Sequence, residues 1–283
     1  MIGNLKSQKL VEDVLTRDTI SVCLSGPEGV GKKTKALEVI GKILNVNTKE
    51  AAVHADLFFV EPQNNIIKLE KIRELIEFSS LKSYSGGRKF VVIDDAHTMN
   101  IESQNSLLKL IEDPPIGESI ILITDKYEML LPTIRSRVIN IEFKKLTNDD
   151  LNQALQKNLS PEILALADGS VSKAIKYSEY DTGGLSDFVN AFLYRDPLMY
   201  SKDFDKDEFE TLCKYTICVL KSMRKIALGE EGDIYDARLL QTKLNLKPEI
   251  IDRLLLKIDE AMLLYMGNFN KKVIMTDLFM GKF

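Results

Sequence analysis

The sequence is short of cysteine, of basic charge and of long apolar runs, and each shortage narrows what the chain does. Its three cysteines, Cys23, Cys213 and Cys218, are odd in number and scattered, with no Cys-x-x-Cys pair. That fits neither a disulfide framework nor a zinc site. Cys23 lies inside the apolar run ISVCL and reads as a small buried hydrophobe. No stretch approaches the ~20 uninterrupted apolar residues of a membrane span. The opening MIGNLKSQKLVEDV lacks the apolar core of a signal peptide. A cytoplasmic protein without a membrane partner is therefore expected. The formal net charge of -4 is the reverse of the basic footprint of a duplex-coating protein. Direct DNA contact through a local lysine-rich surface stays open. Internal repeats and low-complexity tracts are lacking too.

What is present is an ordinary soluble composition, 45% hydrophobic and 28% charged, in 283 residues. That length suits two or three modest domains. TISVCLS, DLFFVEP, KFVVID, SIILIT and VINIEF read as buried strands. Helical patterns fall between them: KKTKALEVIGKILN with Ala36, Val39, Ile40 and Ile43 on one face, KLEKIRELIEFSS with Ile72, Leu75 and Ile76, and ESQNSLLKLIED. Continuous apolar strands separated by helices predict an α/β domain, a parallel sheet covered by helices on both faces. From KLTNDDLNQAL onward only helices are legible, and Thr147 with Asp150 spells a helix start. EYDTGGLSD, residues 179–187, reads as a linker because of Gly183-Gly184. The expected division is 1–143 for the α/β nucleoside-triphosphatase-type domain, 144–182 for a small helical domain and 183–283 for a second helical domain.

One stretch carries chemistry. SGPEGVGKKT, Ser25 to Thr34, nearly spells the phosphate loop G-x-x-x-x-G-K-[ST], with a buried strand before it and a helix after. In such a loop backbone N–H groups and a helix N-terminus converge on phosphate oxygens, and the lysine neutralises the terminal phosphates. Gly26, Glu28, Gly29, Gly31, Lys32, Lys33 and Thr34 are the candidate nucleotide-binding residues. The other reading is an ordinary glycine-rich turn. Lys33 stands where a hydroxyl should hold Mg²⁺, and an ammonium cannot ligate a metal. Thr34, one position later, points about 100° around the helix. Nucleotide binding with poor hydrolysis is the expectation.

Asp94 and Asp95 end the strand KFVVID as a carboxylate pair. In a working site the first orients the metal's water and the second polarises the attacking water, a place usually held by glutamate. Asp95 is one methylene shorter, and an ångström of misplacement costs ~100-fold in rate. Both acids also suit simple capping of the next turn. His97 beside them reads as structural.

Three further stretches, NSLLKLIEDPP at 105–115, ILITDKYEMLLPTIRSRVINIEF at 121–143 and LADGSVSKAI at 166–175, follow in order. With the two site motifs they resemble bacterial DNA polymerase III clamp-loader subunits, AAA+ proteins of the gamma/tau and delta-prime type. The resemblance is strong over 1–180 and weaker over the C-terminal helices, where NFNKKVIMTDLFMGKF is similar to the end of the family's collar. It implies an AAA+ domain, a helical lid and a collar that joins subunits. It also implies delta and gamma/tau subunits as partners, with the sliding clamp and primer-template DNA engaged through the complex. Arg137 of Ser136-Arg137-Val138 matches the arginine that enters a neighbour's ATP site. A permanently charged, planar guanidinium suits that role. Arg135 competes for it, and a surface ion pair is the plain alternative. Thr124 matches the position that senses the terminal phosphate.

Departures from the family pattern fall on the chain's own site. Lys33 replaces the metal hydroxyl, Asp95 the glutamate, and Ser172, with Lys173 beside it, the lid arginine. Loss in cis with Arg137 retained resembles delta-prime, the stationary subunit, so ATP or ADP is expected to bind without efficient hydrolysis. The chain's own ATPase is expected to be weak or absent. NVNTKEAAVHAD, 45–56, carries none of the family's zinc cysteines, so no zinc is expected. An active gamma/tau-type ATPase is the alternative. An unrelated P-loop transferase is disfavoured by the helical second half.

Overall fold

The computed structural model describes residues 2–179, 182–196, 204–232, 234–267 and 269–280. The chain divides into two compact units, Met1–Gln156 with Gly169–Ser172, and Lys157–Asp168 with Lys173–Phe283.

The first unit is built on five parallel strands in the order β2-β3-β4-β1-β5. They are β1 (Ile20–Ser25), β2 (Leu57–Val60), β3 (Lys89–Ile93), β4 (Glu118–Thr124) and β5 (Ile139–Glu142). All five coincide with the apolar runs; in the central strands β1, β3 and β4 side chains on both faces are buried and no polar alternation is needed, whereas in the edge strand β5 only Ile141 is buried. Around them lie α1 (Leu5–Leu15), α2 (Lys32–Leu44), α3 (Thr48–Ala51), α4 (Leu69–Ser80), α5 (Ile101–Glu112), α6 (Pro132–Arg135) and α7 (Asn148–Leu155).

Alternate strand residues feed two cores. Val22, Leu24, Phe90, Val92, Ile121 and Ile123 pack with Val11, Val14 and Leu15 of α1 and Ala36, Val39 and Ile40 of α2. On the other face Cys23, Val91, Ile93, Ile120 and Leu122 meet Ile72 and Leu75 of α4 and Leu107 and Ile111 of α5. Each such side chain contributes about 1.5–3 kcal/mol. Burial pushes the Cys23 thiol up to about 12, so it is an unreactive core group. The expected face of α4 needs one correction, since Ile76 is exposed. α1 was not legible as a helix, having only a short apolar face of Val11, Val14 and Leu15. α7 opens with the expected reciprocal cap between Thr147 and Asp150.

In the second unit the described residues form helices: α8 (Pro161–Ala167), α9 (Val171–Tyr177, whose first two residues belong to the first unit), α10 (Thr182–Tyr194), α11 (Lys206–Ala227), α12 (Tyr235–Leu244), α13 (Pro248–Met266) and α14 (Lys271–Met280). The linker expected at 179–187 is overturned, because Gly183 and Gly184 lie inside α10; Tyr180 and Asp181 fall outside the described residues. Both glycines sit in the first turn of α10, and the helix beyond them buries Leu185, Phe188, Val189 and Phe192. The ring of Phe188 meets Phe204, Phe209 and Phe279 edge-on, with centroids 5.8, 6.0 and 5.4 Å away. Phe209 stacks on Tyr265 at 4.0 Å, and the Tyr265 hydroxyl donates to Phe204 O at 2.6 Å.

Candidate nucleotide site at the strand ends

In a parallel sheet the C-terminal ends of the strands share one edge, and the loops there form the usual ligand crevice. Here that edge collects the loop after β1, the acids after β3 and the threonine ending β4. Ser25 pairs with Thr124 on one side and Glu142 on the other. The register therefore sets most of the expected site residues together.

The loop has the conformation its glycines permit. Gly26, Gly29 and Gly31 have φ of 128°, 73° and 94°, angles that a Cβ resists. A Cβ on Gly26 would stand 2.0 Å from Phe143 O. Gly29 is covered by the start of α9: Val171 N donates to Gly29 O at 3.0 Å, and Ser170 and Ser172 present their hydroxyls to it. Lys32, the first residue of α2, is buried, and its Nζ donates to Gly26 O at 2.6 Å and Pro27 O at 2.7 Å. An ammonium has three N–H donors, so two of them brace the loop. Burial draws the Lys32 pKa below its ordinary value against the charges of Asp125, Asp94, Asp95 and Glu28. Glu28 and Thr34 are exposed.

Lys33 turns toward the sheet edge. Its Nζ lies 3.1 Å from Glu61 Oε2 and 3.2 Å from Asp94 Oδ2, and 4.5 Å from the centroid of Phe59. Partial burial opposes its charge, but the Glu61 hydrogen bond and the Asp94 charge outweigh that and raise its pKa. Sequence reasoning missed Glu61. Its signal is the one that exposed Asp94: it is the first residue after a buried strand ending at this edge.

Asp95 takes a left-handed conformation, φ 47° and ψ 46°, and begins the turn Ala96–Thr98. Burial first, and the charge of Asp94 second, raise its pKa. Thr124 is fully buried. Its hydroxyl accepts from Lys126 N at 3.0 Å and bonds His97 Nδ1 at 3.1 Å. His97 Nδ1 also lies 3.2 Å from Asp125 Oδ1. Asp95, His97 and Asp125 place one donor atom each within 4.8 Å of one another. His97 Nδ1 thus sits between the Thr124 hydroxyl and the Asp125 carboxylate.

Arg137 is elsewhere. β5 begins beside Val22 and ends beside Ser25, so about 10 Å of strand separates its start from the loop's edge. Arg137 precedes that start by two residues, among the beginnings of the strands. Its Nε donates to Glu112 Oε2 at 3.2 Å and its Nη1 to Thr133 O at 3.1 Å. Arg135 pairs with Glu128 and covers the Tyr127 ring.

The residues fit a nucleotide better than its metal. Gly26, Gly29, Gly31 and Lys32 are the residues that would cradle a phosphate, and bound nucleotide would bring a transferable terminal phosphoryl group. A magnesium ion does not fit, because the position that should supply its hydroxyl holds a cation already paired with Asp94.

A family model described as DNA polymerase III, delta subunit matches residues 7–147. The delta' subunit of DNA polymerase III from Pseudomonas aeruginosa is 31% identical over 132 residues, 41% of this chain and 40% of that one. The delta' subunit from Bacillus subtilis is 29% identical over 192 residues, 61% of this chain and 58% of that one. The chain thus spans less than two thirds of these relatives' lengths. Proteins named as gamma or tau subunits match at 24% to 28% identity. Among solved structures, a DNA polymerase III gamma subunit-related protein from Thermotoga maritima superposes with a TM-score of 0.57 at 19% identity, over 97% of both chains. That likeness concerns the fold.

Proposed function

The chain belongs to the AAA+ clamp-loader subunits of bacterial DNA polymerase III, and within that family we propose that it is the delta-prime-like, non-motor subunit. On this reading it stands in the cytoplasm beside delta and gamma/tau subunits and helps place the sliding clamp on primed DNA. Its own phosphate loop holds nucleotide without turning it over. Its active contribution is Arg137, given to the ATP site of the adjacent subunit.

The observation that carries the reading is the separation of the two halves of the chemistry. Arg137 precedes β5 at the strand starts, while the phosphate loop follows β1 at the strand ends. A guanidinium so far from its own loop serves a phosphate only when another subunit brings one. The loop meanwhile has Lys33 and Asp94 paired to each other at 3.2 Å. An arginine finger given in trans is worth ~10³–10⁵ in rate. Arg137→Ala should therefore leave the isolated chain folded and strongly lower ATP turnover of the reconstituted complex. Unchanged turnover would remove the role.

The second reading, an active gamma/tau-type ATPase, has the intact glycines and Lys32 in its favour, together with the gamma and tau relatives. It requires that the purified chain turn over ATP with DNA stimulation, and that Lys32→Ala abolish this. That result would replace the non-motor reading.

A further inference from the structure

A phosphate loop ordinarily meets its nucleotide as a magnesium complex. The residue after the loop lysine gives the ion a hydroxyl, and a strand-end aspartate holds it from the other side. In this chain those two positions are joined directly. Lys33 Nζ lies 3.2 Å from Asp94 Oδ2 and 3.1 Å from Glu61 Oε2, and the Phe59 ring lies 4.5 Å away.

The sheet builds this arrangement. Val60, the last residue of β2, pairs with Ile93, the last of β3, and Asp94 N donates to Val60 O at 2.8 Å. Glu61 and Asp94 are the next residues of two adjacent strands, so their carboxylates emerge side by side at the loop edge. The first turn of α2 carries Lys33 over them. An ammonium has donors and no lone pair, so it occupies the carboxylates without being able to ligate an ion. A divalent cation arriving there would meet a resident positive charge on the carboxylate it needs.

The phosphate cradle is retained beside this pair. Gly26, Gly29 and Gly31 keep positive φ angles, and Lys32 uses two N–H donors on the loop carbonyls of Gly26 and Pro27. We infer that Lys33 is a tethered replacement for magnesium, so that this site takes a nucleoside di- or triphosphate as the free, metal-less anion. The inference rests on the non-motor reading and adds the chemical form of the ligand. Loss of the metal and gain of the lysine are then one change: a phosphate countercharge is kept, and the ion that would activate transfer is shut out.

The test is calorimetric titration of the purified full chain with ADP and with ATP, in EDTA and in excess MgCl₂. Binding in EDTA should equal or exceed binding in magnesium, since magnesium withdraws the free anion. Lys33→Thr restores the hydroxyl and frees Asp94, and should bind at least about tenfold more tightly in magnesium than in EDTA. Lys33→Met removes the charge without a ligand, and should weaken binding in EDTA by about tenfold, the size of one hydrogen bond to a charged group. Circular dichroism checks that both variants fold. The inference is overturned if the parent chain binds tenfold more tightly in magnesium, or binds in neither condition. It is also overturned if Lys33→Thr gains no metal dependence. Absence of binding leaves the non-motor reading standing, whereas DNA-stimulated turnover by the purified chain removes that reading.

Discussion

Arg137 Nε donates to Glu112 Oε2 at 3.2 Å, joining the loop before β5 to the last turn of α5. Nη1 is held at the same time by Thr133 O. The guanidinium is thus oriented by groups of its own chain before any neighbour arrives.

Glu112→Ala should lower ATP turnover of the reconstituted complex by several-fold, and by less than Arg137→Ala, with Glu112→Gln recovering part of the loss. An exposed pair contributes at most about 1 kcal/mol, so the melting temperature of the isolated chain should hardly move. A large drop in melting temperature would mean that the pair is structural instead.

Gly26 is fixed by its surroundings as well as by its φ. A Cβ there would lie 2.0 Å from Phe143 O, a backbone atom that cannot swing aside. Gly26→Ala should cost about 2–4 kcal/mol in urea unfolding. Gly86 also has a positive φ, but a Cβ there meets nothing within 4 Å, so Gly86→Ala should cost only about 1 kcal/mol. Equal costs would refute the close approach.

Asp56 is buried and accepts from Tyr84 N at 2.6 Å, Ser85 N at 3.0 Å and Ser85 Oγ at 2.6 Å. Burial alone would raise its pKa, but the bonds from Ser85 and Tyr84 outweigh this and hold it below the ordinary value. The unfolded chain therefore binds the proton more readily. The carboxylate's contribution is complete above about pH 4, the unfolded value, and is lost as pH falls through the lower folded value. Asp56→Asn should cost about 2 kcal/mol at pH 7. The gap to the parent chain should narrow as pH falls below about 4, and a constant gap would count against the carboxylate's role.

In the second unit, Phe188→Ala opens the meeting point of Phe204, Phe209 and Phe279. A loss of about 3–5 kcal/mol is expected, and Phe188→Leu should recover much of it. If α10 were a loose connector instead, Phe188→Ala would be nearly neutral.

The three central strands, β1, β3 and β4, could be read from the sequence because burial on both faces makes the middle of each run continuously apolar; the edge strand β5 alternates instead, with Ile141 buried and Asn140 and Glu142 exposed. The phosphate loop could be read because glycine and lysine spacing is a local property. What could not be read depends on register between distant strands. Nothing local pairs Glu61 with Lys33, and only the Val60–Ile93 alignment brings Glu61 beside Asp94. The contact of His97 with Thr124 and Asp125 likewise depends on β3 lying beside β4. At α10 the local signal misled: Gly183-Gly184 spells a break, and the aromatic cluster around Phe188 overrides it.

The strand order has a consequence during synthesis. β1 is bordered only by β4 and β5, so Ile20 waits for Ser119, and Val22 for Ile139. β1 leaves the ribosome with no sheet partner until about a third of the 283 residues have followed it. At ~5–20 residues per second that interval lasts several seconds, during which ISVCL is exposed on a nascent chain. The phosphate loop, although encoded near the start, takes its final shape only after Phe143 has arrived to close over Gly26. Ribosome-bound fragments ending before β5 should accordingly be sensitive to protease across the loop, and those extending past it protected.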